Sequence, residues 1–272
     1  MESIFGGFGD LVVPRPKEHL GQTDLSFGGK LLPALKICED GGESGCGGKV
    51  WIAGELLCEY ILEKSVDHLL SKTVNGTKQF KKVLELGSGT GLVGLCVGLL
   101  EKNTFHDGTK VYVTDIDKLI PLLKRNIELD EVQYEVLARE LWWGEPLSAD
   151  FSPQEGAMQA NNVDLVLAAD CVYLEEAFPL LEKTLLDLTH CINPPVILMA
   201  YKKRRKADKH FFNKIKRNFD VLEITDFSKF EHYLKERTHL FQLIRKLPDT
   251  VNLSLNDPDL IIFSNELFDR HL

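Results

Sequence analysis

The sequence predicts an α/β fold, in which helices cover both faces of a mostly parallel sheet of seven strands. Apolar segments of strand length alternate with segments of helical periodicity over most of the chain, which is typical of a doubly wound sheet. The apolar segment Lys82–Leu86 leads directly into a glycine-rich turn and a helix, as parallel strands of this class do. The last two strand segments, residues 219–225 and 238–245, follow each other without a convincing helix and are expected to close the sheet as an antiparallel pair.

The remaining elements follow from the same periodicities. The strands expected before the closing pair lie at residues 82–86, 111–114, 134–141, 163–169 and 196–200. Helices are expected at residues 51–66, 91–100, 119–127 and 178–188, and again from residue 211. Residues 163–169 are apolar except for Asp164, so we expect this strand at the centre of the sheet.

The chain divides into three regions on composition. Residues 1–50 form an irregular arm rich in glycine and proline, with a short strand pair expected near residues 31–37. Residues 51–246 form the α/β domain, and residues 247–272 are an appendage to which the sequence assigns no role. The arm either caps a ligand or carries substrate contacts, or it is a frayed terminus.

Composition limits the partners and the compartment. The 272 residues carry a formal net charge of -9, which disfavours a general affinity for nucleic acid and suits a basic protein partner. The six cysteines contain no C-x-x-C pair, so we expect neither a zinc site nor another metal. With no signal peptide and no apolar segment of membrane-spanning length, we expect a cytoplasmic protein that binds no membrane. We also expect a monomer.

The glycine turn predicts a site for a nucleotide-like cofactor. Gly87, Ser88, Gly89 and Gly91 separate the strand from a helix, where backbone can approach a ligand closely and unpaired N–H groups are available. A purely structural turn is the alternative. The spacing of Gly89, Gly91 and Gly94 also satisfies the dinucleotide fingerprint, so the glycines alone do not exclude NAD.

Two side chains are candidates for binding the nucleoside part of such a cofactor. Asp115 ends the next strand, where a carboxylate can accept hydrogen bonds from both ribose hydroxyls; its alternative role is to cap the helix that follows. Asp117 is a competing cap and a weaker rival for the ribose. Of the neighbours Trp142 and Trp143, one is expected to form a wall against adenine and the other to belong to the core.

Further marks, in order along the chain, carry a family resemblance. The segment from Glu85 to Gly91 reads Glu-x-Gly-x-Gly-x-Gly, which resembles the first motif of the seven-stranded, S-adenosylmethionine-dependent methyltransferases. Trp51 precedes it, while Asp115, the pair Trp143-Gly144 and the tetrad Asp170-Cys171-Val172-Tyr173 follow it. Together these motifs, between Trp51 and Arg245, resemble the protein-lysine methyltransferases of the methyltransferase-like 21 group. The nearest match is the fungal branch that methylates translation elongation factor 1-alpha.

The resemblance implies a fold, a cofactor and an acceptor. The fold is the Rossmann-like seven-stranded methyltransferase fold, the cofactor is S-adenosylmethionine, and the acceptor is a lysine of elongation factor 1-alpha. The resemblance also favours a cofactor-binding role for Trp51 over a place in the core. Glu85 is expected to act near the sulfonium through its charge or through indirect hydrogen bonds. The small residue Ala169 is expected to let backbone approach the cofactor.

Asp170 and Tyr173 are the expected catalytic residues. Asp170 ends an apolar strand, and a buried carboxylate there needs a partner, which an incoming lysine ammonium would supply. Tyr173 would add a hydrogen bond or an aromatic wall beside the amine. The alternative is that Asp170 caps the following helix. Because lysine arrives protonated and its neutral amine is the nucleophile, we expect activity to rise with pH.

The sequence leaves three further functions open. A nicotinamide oxidoreductase would use Tyr60 and Lys64, but this pair precedes the glycine loop, in the wrong order for that class. A non-catalytic binding partner with the same fold is the second, and a small-molecule methyltransferase is the third. The basic segment 202–206 does not distinguish them, because it either contacts an acidic surface of a protein substrate or is a solvated loop.

Overall fold

A computed structural model describes most of the chain. The described residues are 25–40, 45–64, 73–74, 77–78, 80–106, 108–153, 162–191, 193–205 and 208–246. The first 24 residues and the expected appendage at 247–272 lie outside the described residues, as do the expected end of the first helix at Val66 and the last residue of the basic segment, Lys206.

Seven strands form the main sheet. They are β1 (Lys82–Leu86), β2 (Lys110–Asp115), β3 (Val136–Glu140), β4 (Leu165–Ala169), β5 (Val196–Lys202), β6 (Phe219–Glu223) and β7 (Thr238–Arg245). The order across the sheet is β3-β2-β1-β4-β5-β7-β6, and within this sheet β7 runs in the direction opposite to the other six strands. A separate two-stranded ladder pairs Thr73–Val74 with Thr77–Lys78. The sheet confirms the expected seven-stranded, mostly parallel fold with a closing antiparallel pair.

The helices cover both faces of this sheet. They are α1 (Ile52–Lys64), α2 (Leu92–Leu100), α3 (Ile120–Leu129), α4 (Phe178–Leu188), α5 (Asp208–Ile215) and α6 (Phe230–Lys235). Shorter helical turns lie at Gly45–Gly48, Glu101–Phe105, Asp117–Leu119 and Glu175–Ala177. None of the helices in the described part of the chain is long and apolar enough to cross a membrane.

Register places the ends of the central strands at one edge. β1 lies between β2 and β4, with Leu86 opposite Thr114 on one side and Ala168 on the other. In the next pair, Ala169 lies opposite Ala200. Because these four strands are parallel, the residues that follow them meet at the same edge of the sheet, which is where open α/β sheets bind ligands.

Helix α2 packs unusually close to the sheet. All nine of its residues are buried, and two of them are glycines. A Cβ at Gly94 would lie 2.3 Å from Val113 Cγ1, and one at Gly98 would lie 2.1 Å from Val136 Cγ2. Gly94, the third glycine of the dinucleotide spacing, therefore serves the contact between helix and sheet, and it fixes where the N-terminus of α2 meets the site.

Three details of the sequence prediction are wrong. Residues 31–37 form no strand pair; they are irregular, and the backbone N–H of Lys36 donates to Asp130 while that of Cys38 donates to Asn126, both side chains of the α3 region. The closing strands are joined by the short helix α6. Strand β5 continues to Lys202, so the basic segment begins inside the sheet and not in the loop after it.

The described part of the arm is packed onto the domain. Phe27, Leu31 and Leu35 are at least 95% buried and join the main hydrophobic core. Asn126, which is fully buried, accepts the N–H of Cys38 at 2.8 Å and donates both to the Cys38 carbonyl and to the Thr90 carbonyl of the glycine turn. One side chain thus connects the arm with the turn after β1.

Candidate active site

The turn after β1 has a backbone conformation that favours glycine. Gly87, Gly89 and Gly91 have φ angles of +57°, +56° and +83°. A Cβ at Gly87 would lie 2.7 Å from a ring carbon of Trp143, and a Cβ at Gly89 would lie 2.7 Å from the carbonyl oxygen of Gly47. The turn therefore needs glycine both for its backbone angles and for the close approach of its neighbours.

Ser88 fastens this turn to the end of β2. Its N–H donates to the Thr114 carbonyl at 2.9 Å, and its Oγ accepts the Thr114 N–H at 2.9 Å. The Thr114 hydroxyl in turn donates to the Glu85 carbonyl at 2.6 Å. These bonds fix the turn against the neighbouring strand, so its shape is set before any ligand arrives.

Asp115 also binds the turn. Its Oδ2 accepts the N–H of Gly89 and its Oδ1 accepts the N–H of Ile116, both at 2.8 Å. Burial raises the pKa of Asp115 to about 6, although these two hydrogen bonds oppose the shift. The capping role is not formed, since the helical turn that follows starts from Ile116 without a side-chain cap. Asp117, the other candidate for binding the ribose, is exposed and lies outside the cavity described below.

Glu85 is a buried carboxyl beside the start of α2. It is 2% exposed, and its Oε2 accepts the N–H of Gly94 at 2.9 Å. Burial raises the pKa of Glu85 to about 8, opposed by hydrogen bonds from the Gly94 N–H and Ser88 and reinforced by the charge of Asp115. A positive charge bound nearby would favour the ionised carboxylate.

These groups surround a cavity of about 440 Å³ at the carboxyl edge of the sheet. The cavity brings together all but one of the residues expected in the site: Trp51, Glu85, Gly87, Ser88, Gly89, Asp115, Trp143, Ala169, Asp170 and Tyr173. Gly91 does not line it; a Cβ there would lie 2.9 Å from Leu123 instead. The arm adds Cys46, Gly47 and Lys49 to the lining.

The three tryptophans differ in their relation to the cavity. Trp143 lines it and packs against the core over Gly87. Trp142 is half-buried, and its indole N–H donates to Glu140 at 2.6 Å, so the expectation that it belongs to the core is wrong. Trp51 lines the cavity as well, with its indole N–H donating to the Cys46 carbonyl at 2.8 Å.

Asp170 has a partner that the sequence did not reveal. Its carboxylate forms a bidentate ion pair with Arg204, in which Nη1 lies 2.6 Å from Oδ1 and Nη2 lies 2.5 Å from Oδ2. The Asp170 side chain is 6% exposed and that of Arg204 is 32% exposed. Asp170 also has a φ of +60°, a strained conformation that is common at functional sites. It caps no helix, because the next helical turn starts from Leu174.

Arg204 is held from several sides. Its guanidinium lies 5.3 Å from the centre of the Trp51 ring, a cation–π contact. Its backbone N–H donates to Asp208, a carboxylate that is 1% exposed, at 3.1 Å. Burial alone would lower the pKa of Arg204, but the hydrogen bonds and charge of Asp170 raise it. Part of the basic segment therefore belongs to the site, a role that the sequence pattern did not indicate.

Tyr173 completes the tetrad in the cavity. Burial raises its pKa well above the ordinary value, with further contributions from Asp115 and other acidic groups, so its hydroxyl stays neutral at physiological pH. The Arg205 guanidinium donates to the Tyr173 carbonyl. The hydroxyl can therefore act as a hydrogen-bond donor or acceptor, and the ring as an apolar wall.

The oxidoreductase alternative finds no support in the geometry. Tyr60 packs edge-on against Phe227, and Lys64 pairs with Asp226. Neither residue lines the cavity. Among the described residues, no group of three or more His, Cys, Asp or Glu side chains is arranged to hold a metal ion.

Comparison with known proteins identifies the family. A family profile described as lysine methyltransferase matches residues 31–218. Protein N-lysine methyltransferase METTL21A of Danio rerio is 32% identical over 220 residues, which cover 79% of this chain and 85% of the relative. Protein-lysine methyltransferase METTL21E of Mus musculus is 34% identical over 185 residues, 66% of each chain. The chain therefore belongs to the lysine methyltransferase family, whose methyl donor is S-adenosylmethionine.

Proposed function

We propose that the protein transfers the methyl group of S-adenosylmethionine to a lysine of translation elongation factor 1-alpha. The observation that carries the transferase assignment is the placement of Asp170 and Tyr173 in the same cavity as the glycine turn and Asp115, in a member of the lysine methyltransferase family. One cavity thus holds the features expected of a cofactor site and of an acceptor site.

The residues of the cavity fit S-adenosylmethionine. Each oxygen of Asp115 accepts one backbone N–H, which leaves lone pairs for the two ribose hydroxyls. The aromatic ring of Trp143 offers a flat apolar surface for adenine, and the acidic Glu85 suits a cationic ligand. A volume of about 440 Å³ lies within the range of small-molecule sites. We therefore assign cofactor binding to Trp51, Glu85, Gly87, Ser88, Gly89, Asp115, Trp143 and Ala169, with Gly91 shaping the turn.

Asp170 and Tyr173 are the groups that act on the lysine side chain in this proposal. When bound, S-adenosylmethionine supplies an electrophilic methyl group attached to a sulfonium sulfur. Asp170 accepts a hydrogen bond from the lysine nitrogen and so aligns it, and the neutral hydroxyl and ring of Tyr173 enclose the amine in a partly apolar slot. Exclusion of water from this slot favours the uncharged amine, and the displaced proton passes to solvent.

The choice of elongation factor 1-alpha rests on two supports. The motifs from Trp51 to Tyr173 resemble those of the fungal branch that methylates this factor. The formal net charge of -9 favours a basic protein partner. Such an acceptor implies action in the cytosol. We also propose that the active form is a monomer.

The arm is proposed to contribute to the active site. Residues 51–246 contain the sheet and the catalytic groups, but Cys46, Gly47 and Lys49 of the arm also line the cavity. We propose that the described arm covers the cofactor or contacts the substrate. The functions that compete with this proposal are methylation of another protein or a small molecule, and non-catalytic binding.

A labelling experiment tests the proposal. Purified protein is incubated with tritiated S-adenosylmethionine and a cytosolic lysate, and the label is followed by gel electrophoresis and amino-acid analysis. We expect methyl-lysine in one basic protein, which mass spectrometry then identifies as elongation factor 1-alpha. Methyl-lysine in a different protein would reject the factor but keep the enzyme class. Cofactor binding without any labelled protein would support a small-molecule acceptor or a non-catalytic partner.

A further inference from the structure

The ion pair between Asp170 and Arg204 raises a chemical question. A lysine must lose a proton before its nitrogen can be methylated, and an uncompensated buried carboxylate opposes that loss because it stabilises the ammonium. Yet the carboxylate of Asp170, which lines the cavity, is the group proposed to align the amine. The function of Arg204 follows from this conflict.

We propose that Arg204 is a positioning residue that cancels the charge of Asp170, so that the carboxylate aligns the acceptor amine without holding its proton. This inference rests on the proposed lysine acceptor, though not on the identity of the acceptor protein. Arg204 acts through Asp170 and makes no bond to the methyl group. The proton leaves the ammonium nitrogen for water, and the nitrogen keeps its electron pair for the transfer.

The geometry leaves room for the amine beside the ion pair. A carboxylate has about four lone-pair directions. Within the described part of the chain, Oδ1 of Asp170 accepts from Arg204 and from the N–H of Lys202 at 3.3 Å, while Oδ2 accepts from Arg204 alone. One direction on Oδ2 therefore remains for a lysine nitrogen, and both Asp170 and Arg204 line the cavity.

Neighbouring residues hold Arg204 in position beside Asp170. The Trp51 ring lies against its guanidinium, and Asp208 accepts the backbone N–H groups of both Arg204 and Arg205. Asp208 is itself fixed by the Tyr201 hydroxyl at 3.2 Å. A solvated arginine in a loop would make none of these contacts. The fold therefore fixes the position of Arg204.

Other titratable groups lie near the ion pair, and their contribution to the pH dependence of turnover must be distinguished from that of Arg204. They are Cys46, Lys49, Glu85, Asp115, Cys171, Tyr173, Tyr201, Arg205 and Asp208. Burial raises the pKa values of the cysteines and tyrosines in this set above their ordinary values. Glu85, whose pKa is raised to about 8 by burial in the free protein, is common to wild type and variants. The test is therefore the difference between their profiles.

The pH dependence of turnover provides the test. Wild type, Arg204→Gln, Arg204→Lys and Lys209→Gln are assayed from pH 7 to 9.5 with saturating cofactor. The substrate is the acceptor protein identified by labelling with wild type, purified from the lysate. Lys209 is the matched control, because it is exposed on α5, outside the basic segment 202–206 and outside the cavity. For Arg204→Gln we expect the apparent pKa of kcat to rise by about one unit and kcat at pH 7.5 to fall about tenfold. Arg204→Lys keeps the wild-type apparent pKa at reduced kcat, and Lys209→Gln matches wild type.

A second readout separates this effect from simple damage. Without Arg204 the bare carboxylate attracts the ammonium, so the Kd of the acceptor protein at pH 7.5, measured with S-adenosylhomocysteine present, falls while kcat falls. A misfolded site would instead weaken acceptor binding, and cofactor affinity measured by calorimetry monitors folding. An Arg204→Gln profile that coincides with wild type would overturn the inference and leave the proposed function intact. Absence of methyl-lysine with wild type would refute the proposed function, and the inference with it.

Discussion

Asp115 and Gly89 are joined by a hydrogen bond of 2.8 Å from the glycine N–H to the carboxylate Oδ2. This bond connects the end of β2 with the turn after β1, two points separated by 26 residues. Because the same carboxylate lines the cavity, the group proposed for the ribose also fixes the shape of the glycine turn. If Asp115 binds the ribose as proposed, cofactor binding and loop structure are coupled through one side chain.

Replacing Asp115 should weaken cofactor binding. In Asp115→Asn, one backbone N–H loses its acceptor and the ribose loses a charged one, so we expect the Kd for S-adenosylmethionine to rise about tenfold or more. The exposed Asp117→Asn is the control, with Kd unchanged. The pKa of about 6 adds a pH effect in wild type, since affinity falls as Asp115 is protonated below about pH 6. Calorimetry gives both quantities, and equal Kd values for the two variants would exclude Asp115 from the ribose site.

Gly87→Ala should damage the cofactor site more than the fold. The new Cβ lies 2.7 Å from Trp143, and the positive φ costs about 1 kcal/mol for alanine. We expect at least about a tenfold loss of cofactor affinity, equivalent to about 1.4 kcal/mol. Gly108→Ala is the matched control, because it has a φ of +78° and no atom within 4 Å of the new Cβ. It should lose only the cost of the positive φ, about 1 kcal/mol, and keep its affinity. A Gly87→Ala protein that binds the cofactor normally would contradict the packing argument.

Glu85→Gln should stabilise the protein without cofactor. The folded pKa of about 8 exceeds the unfolded value of about 4.3, so the native state holds an extra proton between these values and stability falls as pH rises through this range. Glutamine removes this loss and still accepts the N–H of Gly94. We expect Tm to rise by about 2–4 °C at pH 8.5, with the difference closing near pH 5, while cofactor affinity falls.

The control for this prediction is the same substitution on the surface. Glu128 is exposed on α3, so Glu128→Gln should leave Tm and affinity unchanged. A lower Tm for Glu85→Gln at pH 8.5 would show that the buried carboxyl stabilises the free protein.

Asn126→Ala should separate the arm from the domain. Three hydrogen bonds to Cys38 and Thr90 are lost in a fully buried position, so we expect a loss of about 3 kcal/mol in the free energy of unfolding by urea. Cofactor affinity should also fall, because Thr90 belongs to the glycine turn. Asn103→Ala removes an exposed arm contact, to the Leu32 carbonyl at 3.4 Å, and should cost less than about 0.5 kcal/mol. Equal losses for both variants would contradict a specific role for Asn126.

The sheet could be predicted from the sequence because buried parallel strands have a local signature. Continuous apolar segments such as Leu165–Ala169, each followed by a turn or a helix, indicate the strands and the edge where they end. The positions of Asp115 and Asp170 follow from that edge. The cavity confirms that these carboxylates and the glycine turn come together.

The features that could not be predicted depend on contacts between distant residues. Lys36 and Cys38 of the arm bond to Asp130 and Asn126, about 90 positions away, and no local pattern reports such a pairing. Arg204 lies 34 residues after Asp170 in a segment whose composition is that of a solvated loop. The signal that could have found it is topological: β4 and β5 are neighbours, so the residues after them meet.

In the proposed mechanism, Asp170 serves methyl transfer to lysine and not cofactor binding. Wild type and Asp170→Ala are incubated with tritiated S-adenosylmethionine and the lysate, methyl-lysine is counted after hydrolysis, and cofactor Kd is measured on the same samples. We expect wild type to form methyl-lysine, and Asp170→Ala to bind cofactor within about threefold of wild type while losing at least about a hundredfold in transfer. Wild-type turnover by Asp170→Ala would contradict this mechanism and remove Asp170 from it.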